Sequence, residues 1–400
     1  MAQLPLAGIR VVEFAHMVMG PSCGLVLADL GAEVLKVEPL EGDNTRRLHG
    51  AGSGFYPVFN RNKKSIALDL KHPEGLEVVL RLVDRADVLT ENFRPGALDK
   101  LGLGYDALSK RNPSLVYCTL KGFLNGPYEN RPALDEVVQM MGGLAYMTGL
   151  PERPLRVGSS VNDIMGGMFA AIGILASLRE RETTGRGKLV KSALFENTAY
   201  LVAQHMAQYA MTGEAPAPMS VKRPAWGVYD IFDTKDAGDG TDARLFVGVV
   251  TDTQWEVFCR EFGQEDLAGN AELRTNGQRV RHRDWLIPRI GEIFRPWRRE
   301  DLEKKLEAIG LPYAPISKPW DLLDDPHLNA SGGLADLRVA PGKSIKVPTL
   351  PLELDGERLG KRLDPPAVSE NAREILVAAG YAGAEIDSLF ERRVVAAPAG

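Results

Sequence analysis

At 400 residues the chain exceeds the usual single core, so two lobes are expected. Its 44% hydrophobic and 25% charged content is ordinary for a globular protein, and a net charge of -5 without Lys/Arg blocks gives nucleic acid or a membrane surface no footprint. Three widely spaced cysteines, Cys23, Cys118 and Cys259, form no CxxC and argue against a disulfide framework or zinc site. The opening MAQLPLAGIRVVEF lacks the charged and apolar regions of a signal peptide. No segment approaches a charge-free membrane span; the small-and-apolar stretch Ile164 to Leu178 reads as a buried helix. A cytoplasmic protein without membrane or nucleic-acid partners is the expectation.

In chain order, Ile9–Phe14 reads as a strand, Pro21–Leu30 as a helix stopped by Gly31, and Glu33–Val37 as a second strand. Ser65–Leu70 is strand-like, Pro73–Ala86 helical, and Val88–Thr90 and Leu115–Thr119 are further strands. This rhythm predicts a parallel sheet with helical crossovers, an α/β class. A long glycine-containing helix is expected from about Asn162 to Glu182, then an apolar run from Leu189 to Met211. The proline-rich GEAPAPMSVKRPAWG reads as a linker. Beyond it, Val228–Phe232 and Leu245–Val250 read as strands, with Asp236–Asp242 as the turn between them. Thr251 and Gln254 form a capping-box pattern opening a helix through Phe262, and Arg299–Ile309 is a helix ended by Gly310. Residues 225–325 thus form a smaller α/β lobe, and PPAVSENAREILVAAGY supplies one more helix that returns to the first lobe.

Three chemistries compete. The opening strand–helix–strand invites a dinucleotide, with Glu38 where a ribose ligand would stand. The loop AHMVMGPSCG, however, carries no GxGxxG, and no GxxxxGK[ST] occurs. Asp163, in RVGSSVNDIMGG, falls in the first turn of the long helix, where free N–H groups and the helix dipole favour an anion. Gly166 and Gly167 would let a ligand or a facing helix approach its backbone. Local sequence leaves two readings open: a nucleophilic carboxylate, or a helix cap followed by packing glycines. Of the six histidines, His16, His49, His72, His205, His282 and His327, none has a companion catalytic motif. His16 alone follows the first strand, where α/β sites gather.

At these residues the sequence resembles the family III CoA-transferases, a group that includes formyl-CoA:oxalate and carnitine CoA-transferases and α-methylacyl-CoA racemase. The similarity runs through GIRVVEFAHMVMGPSCGLVLADLGAEVLKVEP, NRNKKSIALDL, ENFRPGALDKLGLGYDAL, NGPYENRPALDEVVQMMGG, DIMGGMFAAIGILASLRERETTGRGKLVKSALFE, GLPYAPISKPWDLLDDPHL and SENAREILVAAGY, in family order.

The resemblance implies that Asp163 is the nucleophile, taking up an acyl group as an anhydride and then CoA as a thioester. It implies an active-site loop of His16, Met17 and Val18, backbone donors near Gly166 and Gly167, and an acidic neighbour, Asp135. Arg94, Lys100, Leu101, Arg131 and Arg61 would hold CoA, which is a substrate; no permanently bound cofactor or metal is implied. The partners are acyl-CoA, a small carboxylic acid and a second copy of the chain. The architecture would be a Rossmann-like large domain from both chain ends (1–215 and 331–400) and a small α/β domain (216–330), in an interlocked homodimer. Alternatives are an acyl-CoA racemase or isomerase using Asp163 as a base, or a CoA-binding protein without turnover. The racemase branch places a histidine where Leu134 stands. Val18 and KGFLNG depart from the glutamine and SGFG patterns of other branches, leaving the acids open. His49 and the Arg46–Arg47 pair are either readers of a distal carboxylate or surface residues.

Overall fold

Short runs of Val, Ile and Leu between polar turns suit strands buried on both faces. In the computed structural model, which describes residues 4–221, 224–235 and 243–398, they are β1 (Arg10–Phe14), β2 (Glu33–Glu38), β3 (Lys63–Ala67), β4 (Val88–Glu91), β5 (Val116–Lys121) and β6 (Leu189–Ala193). They pair in the order β3-β2-β1-β4-β5-β6, all parallel. This is the order of a doubly wound sheet. Its switch point lies between β1 and β4, where ligand crevices form at the carboxyl ends of the strands.

The two faces of the sheet bury separate cores. On one, Phe14, Leu35, Ile66 and Leu89 meet Val79 from the helix Pro73–Val83 and Ile375 and Leu389 from the chain's end. On the other, Val11, Val34 and Cys118 meet Leu27 of the first helix, Met19–Asp29, and Ala170 and Ile174 of the long helix, Val161–Thr184. The long helix stops at Gly185, whose φ of 66° suits a left-handed C-cap. By length and composition this helix is apolar enough to cross a membrane, correcting the expectation that no segment approached one. Its buried face is instead a core surface of the large unit.

Two compact units divide the chain: residues 221–325, and the remainder. In the smaller unit β7 (Val228–Asp233), β8 (Arg244–Val249) and β9 (Tyr313–Pro315) form an antiparallel sheet. It packs Val228, Phe232 and Val247 on Phe258, Phe294 and Leu302. The Thr251–Gln254 capping box is present and opens the helix Asp252–Glu261. The expected turn Asp236–Asp242 lies outside the described residues.

Other differences have local causes. The third strand begins at Lys63, two residues before the expected start, because Lys63 and Lys64 carry buried or half-buried charge inside the sheet. The apolar run from Leu189 divides into β6 and the helices Leu194–Leu201 and Ala203–Thr212. After residue 325 the chain adds the hairpin β10 (Leu334–Ala340) and β11 (Lys343–Pro348) and then two helices, Ala372–Ala378 and Gly383–Glu391, where one was expected. This segment is stitched to the β3 edge: Ser65 N donates to Asn371 Oδ1 at 3.1 Å, Leu363 N to Asn62 Oδ1 at 2.8 Å, and Leu68 bridges Val395.

Candidate active site

Asp163 is in the first turn of the long helix, and the start of that helix lies over the carboxyl ends of the last strands. Ser192 Oγ of β6 donates to Gly166 O at 2.9 Å, while Gly173, two turns on, faces Val190 nearer the strand's centre. The free N–H groups of this helix end are not left for Asp163. Asp135, buried at the start of the helix Asp135–Met141, accepts from Asn162 N at 2.9 Å and Asp163 N at 3.1 Å through Oδ2. The expectation that these amides stabilise the Asp163 anion is therefore corrected: a second carboxylate has taken them. Gln139, fully buried, donates Nε2 to Asp135 Oδ1 and accepts from Val157 N at 2.9 Å. Arg156, just before, approaches Asp135 Oδ1 at 3.6 Å.

The consequence is an uncompensated acid. Burial, reinforced by the Asp135 charge and opposed by Arg156, pushes the Asp163 carboxyl up to about 7. A like charge beside it, with the Asn162 and Asp163 amides already given to Asp135, favours the protonated form of that side chain.

Gly166 and Gly167 serve packing. A Cβ on Gly166 would lie 2.4 Å from Met19 Cε, and one on Gly167 2.7 Å from Met19 O and 2.8 Å from Cys23 N. Their amides belong to the helix ladder, so neither glycine is a free oxyanion donor, which corrects that part of the expected loop. The glycines instead let the start of the long helix lie directly on the start of the first helix, bringing Asp163 toward the β1 loop.

That loop spans the switch point. His16 N donates to Asn92 Oδ1 at 3.0 Å and Asn92 Nδ2 to His16 O at 2.8 Å, joining the β1 and β4 ends. The His16 ring stacks on Phe93 with centroids 5.6 Å apart, and partial burial pulls its pKa below the usual imidazole value. Met17 holds a φ of 63°, exposed, with its N–H donated to Thr45 Oγ1 at 3.0 Å. Val18 is buried as the residue preceding the first helix. The amides of His16 and Met17 are thus bonded within the protein.

The cations separate into three places. Arg94, Lys100 and Leu101 follow β4, with Arg94 and Lys100 exposed and without a side-chain partner among the described residues; Leu101 packs on the core edge. Arg131 is exposed on a turn, its guanidinium 4.9 Å over the Tyr128 ring. Arg61 is corrected as a phosphate ligand: it is 2% exposed and bonded to Asp29 Oδ2 at 2.6 Å. Arg46 grips Glu38 through two bonds and Arg47 bonds Glu41 O and Asn44, so neither is free for a substrate. Glu38 is accordingly a structural partner of Arg46 and Ser65.

Sequence reasoning missed Asn92, Gln139, Arg156 and Asn197, whose buried Nδ2 has no partner and lies beside Gly166. It read Lys121 only as a departure from a pattern. Here Lys121 Nζ ties the β5 end to Glu91 at 2.7 Å and to Phe93 O at 2.5 Å. A polar residue at a strand end signalled Asn92 and Lys121, whereas Gln139 and Asn197 on helices and Arg156 in a loop carried no such signal.

The model of the CoA-transferase family III matches residues 6–372. The chain belongs to that family. As a family III CoA-transferase it is an enzyme of the transferase class. It is 32% identical over 385 residues to the succinate–glutarate CoA-transferase of Agrobacterium fabrum, covering 93% of this chain and 95% of that one. It is also 32% identical over 378 residues to the succinyl-CoA–D-citramalate CoA-transferase of Chloroflexus aurantiacus, with 93% of each covered. Among solved structures, a CaiB/BaiF family protein from Brucella suis superposes with a TM-score of 0.82 at 33% identity, over 94% of this chain and all of that one.

Proposed function

We propose that this family III CoA-transferase moves CoA from a dicarboxylic acyl-CoA to a second small carboxylic acid through covalent intermediates on Asp163. The observation that carries this is a carboxyl pushed up to about 7, set at a helix start over the strand ends of the switch-point sheet. The relatives named above act, by their names, on succinate, glutarate and D-citramalate, all dicarboxylates.

In the forward half-reaction, an Asp163 oxygen attacks the thioester carbonyl and expels CoA thiolate, leaving a mixed anhydride. The thiolate attacks the aspartyl carbonyl, expels the first acid as carboxylate, and leaves Asp163 as a CoA thioester. The acceptor carboxylate attacks that thioester carbonyl and re-expels the thiolate. The thiolate then attacks the acceptor's acyl carbon, releasing the new acyl-CoA and free Asp163. A poorly hydrated carboxylate is well suited to such steps, because little solvent must be stripped from it before attack. The exchanges are close to balanced in energy, so positioning and exclusion of water are the main demands on the protein. No permanent cofactor is required. Arg94 and Lys100 are the cations proposed for the CoA phosphates, with Arg131 beside them.

A homodimer belongs to the same reading. Leu134, Ile172, Tyr200, Met206, Tyr209 and Met211 are each more than half exposed on or beside helices of the large unit, apolar side chains that a second copy would cover. Light scattering is expected to give twice the chain mass. Reduced, buried cysteines suit the cytoplasm.

The decisive experiment traps the intermediate. Enzyme incubated with succinyl-CoA and hydroxylamine is expected to carry a hydroxamate at Asp163 by peptide mass spectrometry, absent in Asp163→Ala. An unmodified Asp163 alongside measurable transfer would overturn the covalent route. A second reading takes support from the same pKa, which also suits a general base: an acyl-CoA isomerase. It predicts deuterium wash-in at the α-carbon without CoA exchange.

A further inference from the structure

We infer that Arg156 reads the distal carboxylate of the dicarboxylic substrate. This inference rests on the proposed transferase reading and assigns a specificity-determining residue within it. Three observations carry it. First, Arg156 stands beside the nucleophile: its Nη1 is 3.6 Å from Asp135 Oδ1, and the other oxygen of that carboxylate accepts the Asp163 amide at 3.1 Å. Second, its guanidinium is uncommitted. Asp135 is already satisfied by two backbone amides and Gln139, and the Arg156 contact lies beyond hydrogen-bond length. The side chain keeps 37% of its surface exposed, so its fork is not closed off from a ligand.

Third, its placement is built. Gln139, with no exposed surface, bonds Asp135 with one end of its amide and the backbone of Val157, the residue after Arg156, with the other. One buried side chain therefore sets the spacing between the arginine's backbone and the acid that caps the nucleophile's helix. The arginines of the Arg46–Arg47 pair are occupied: Arg46 by Glu38 and the Tyr56 ring, Arg47 by Glu41 O and Asn44. A planar fork with free N–H groups at this place matches a carboxylate bidentately. A substrate thioester held for attack by Asp163 would have its tail one short aliphatic chain away, the length that separates the two ends of a C4 or C5 diacid. The distal carboxylate would also answer the arginine charge that Asp135 meets only loosely.

The test compares tails of equal length with and without charge. Wild type, Arg156→Gln and Arg156→Lys are assayed with succinate and glutarate against butyrate and valerate as acceptors from one acyl-CoA donor. Arg156→Gln is expected to lower kcat/KM for the diacids roughly 10- to 100-fold more than for the monoacids, mainly through KM, while the lost arginine charge beside Asp163 affects both classes alike. Arg156→Lys, which keeps the charge but not the fork, is expected to recover part of the loss. Equal loss for both acid classes, no loss, or a wild type without preference for diacids would overturn the assignment.

Binding separates this failure from failure of the transferase reading. In Asp163→Asn, succinyl-CoA is expected to bind at least tenfold more tightly than butyryl-CoA, and adding Arg156→Gln is expected to erase the difference. That preference does not depend on turnover, whereas the hydroxamate on wild-type Asp163 reports the covalent route alone.

Discussion

Two groups of charge lie in the large unit, one fully buried and one half-buried, and they are built on opposite lines. Under the β1 loop, Glu13 receives Lys63 Nζ on both oxygens at 2.9 Å, and the same ammonium donates to Pro21 O at 3.0 Å. Lys36 meets Asp43 at 3.0 Å and donates to Ala15 O at 2.5 Å, and Thr45 N donates to Asp43 Oδ1 at 2.8 Å. Every charge there faces an opposite one, and the cluster's product is shape: it holds the loop in which Met17 sits at positive φ. At the start of the long helix the arrangement is reversed. Asp163 faces another carboxylate, its amide is given away, and the nearby cation is half in solvent. Paired burial makes a rigid frame; unpaired burial makes a reactive group.

The contrast can be broken from either side. The largest expected effect is on the frame. Lys63→Met leaves Glu13 buried with only Lys36 at 3.8 Å, and is expected to cost about 3–5 kcal/mol in urea unfolding. The opposite sign is expected at the reactive group. Because the folded Asp163 carboxyl titrates at about 7, above its ordinary value, its contribution to stability is full at low pH and is lost as pH rises through about 7. Asp163→Asn removes that loss, so the variant is expected to exceed wild type by about 1–3 kcal/mol at pH 8 and by little at pH 4. A variant less stable than wild type at pH 8 would contradict the uncompensated acid. The smallest effect is expected from Asp135→Asn, which keeps a carbonyl oxygen for the helix amides but removes the like charge. The acid limb of the kcat/KM profile is expected to move down by about one unit; a fixed limb would show that burial alone sets the shift.

The difference between the two regions also explains what the sequence made legible. Strands β1, β2 and β4 and the long helix were readable because their patterns are local. Asp163 was readable as a place, the first turn of a glycine-containing helix, but its chemistry was not. The residue that takes its amide, Asp135, is 28 positions away and announces itself by no spacing. Arg61 failed as a ligand for the same reason: Asp29, 32 residues earlier, closes over it only in the fold. Gly166 and Gly167 read as room for a ligand or a facing helix, and they are room for Met19 and Cys23 of the first helix. Arg156 went unnoticed because a lone arginine in a loop has no pattern, and only the Gln139 bridge gives it a position.

The stitching of the last seventy residues onto β3 bears on how the protein is made. Until Asn371 and Val395 emerge from the ribosome, the outermost strand of the parallel sheet keeps an open rim, able to recruit a strand from another nascent chain. Residues 221–325 form their own compact unit, so they can collapse while the larger body waits for its closing segment. Loss of even the final few dozen residues therefore strips the seam from the sheet and leaves an aggregation-prone intermediate rather than a shortened enzyme.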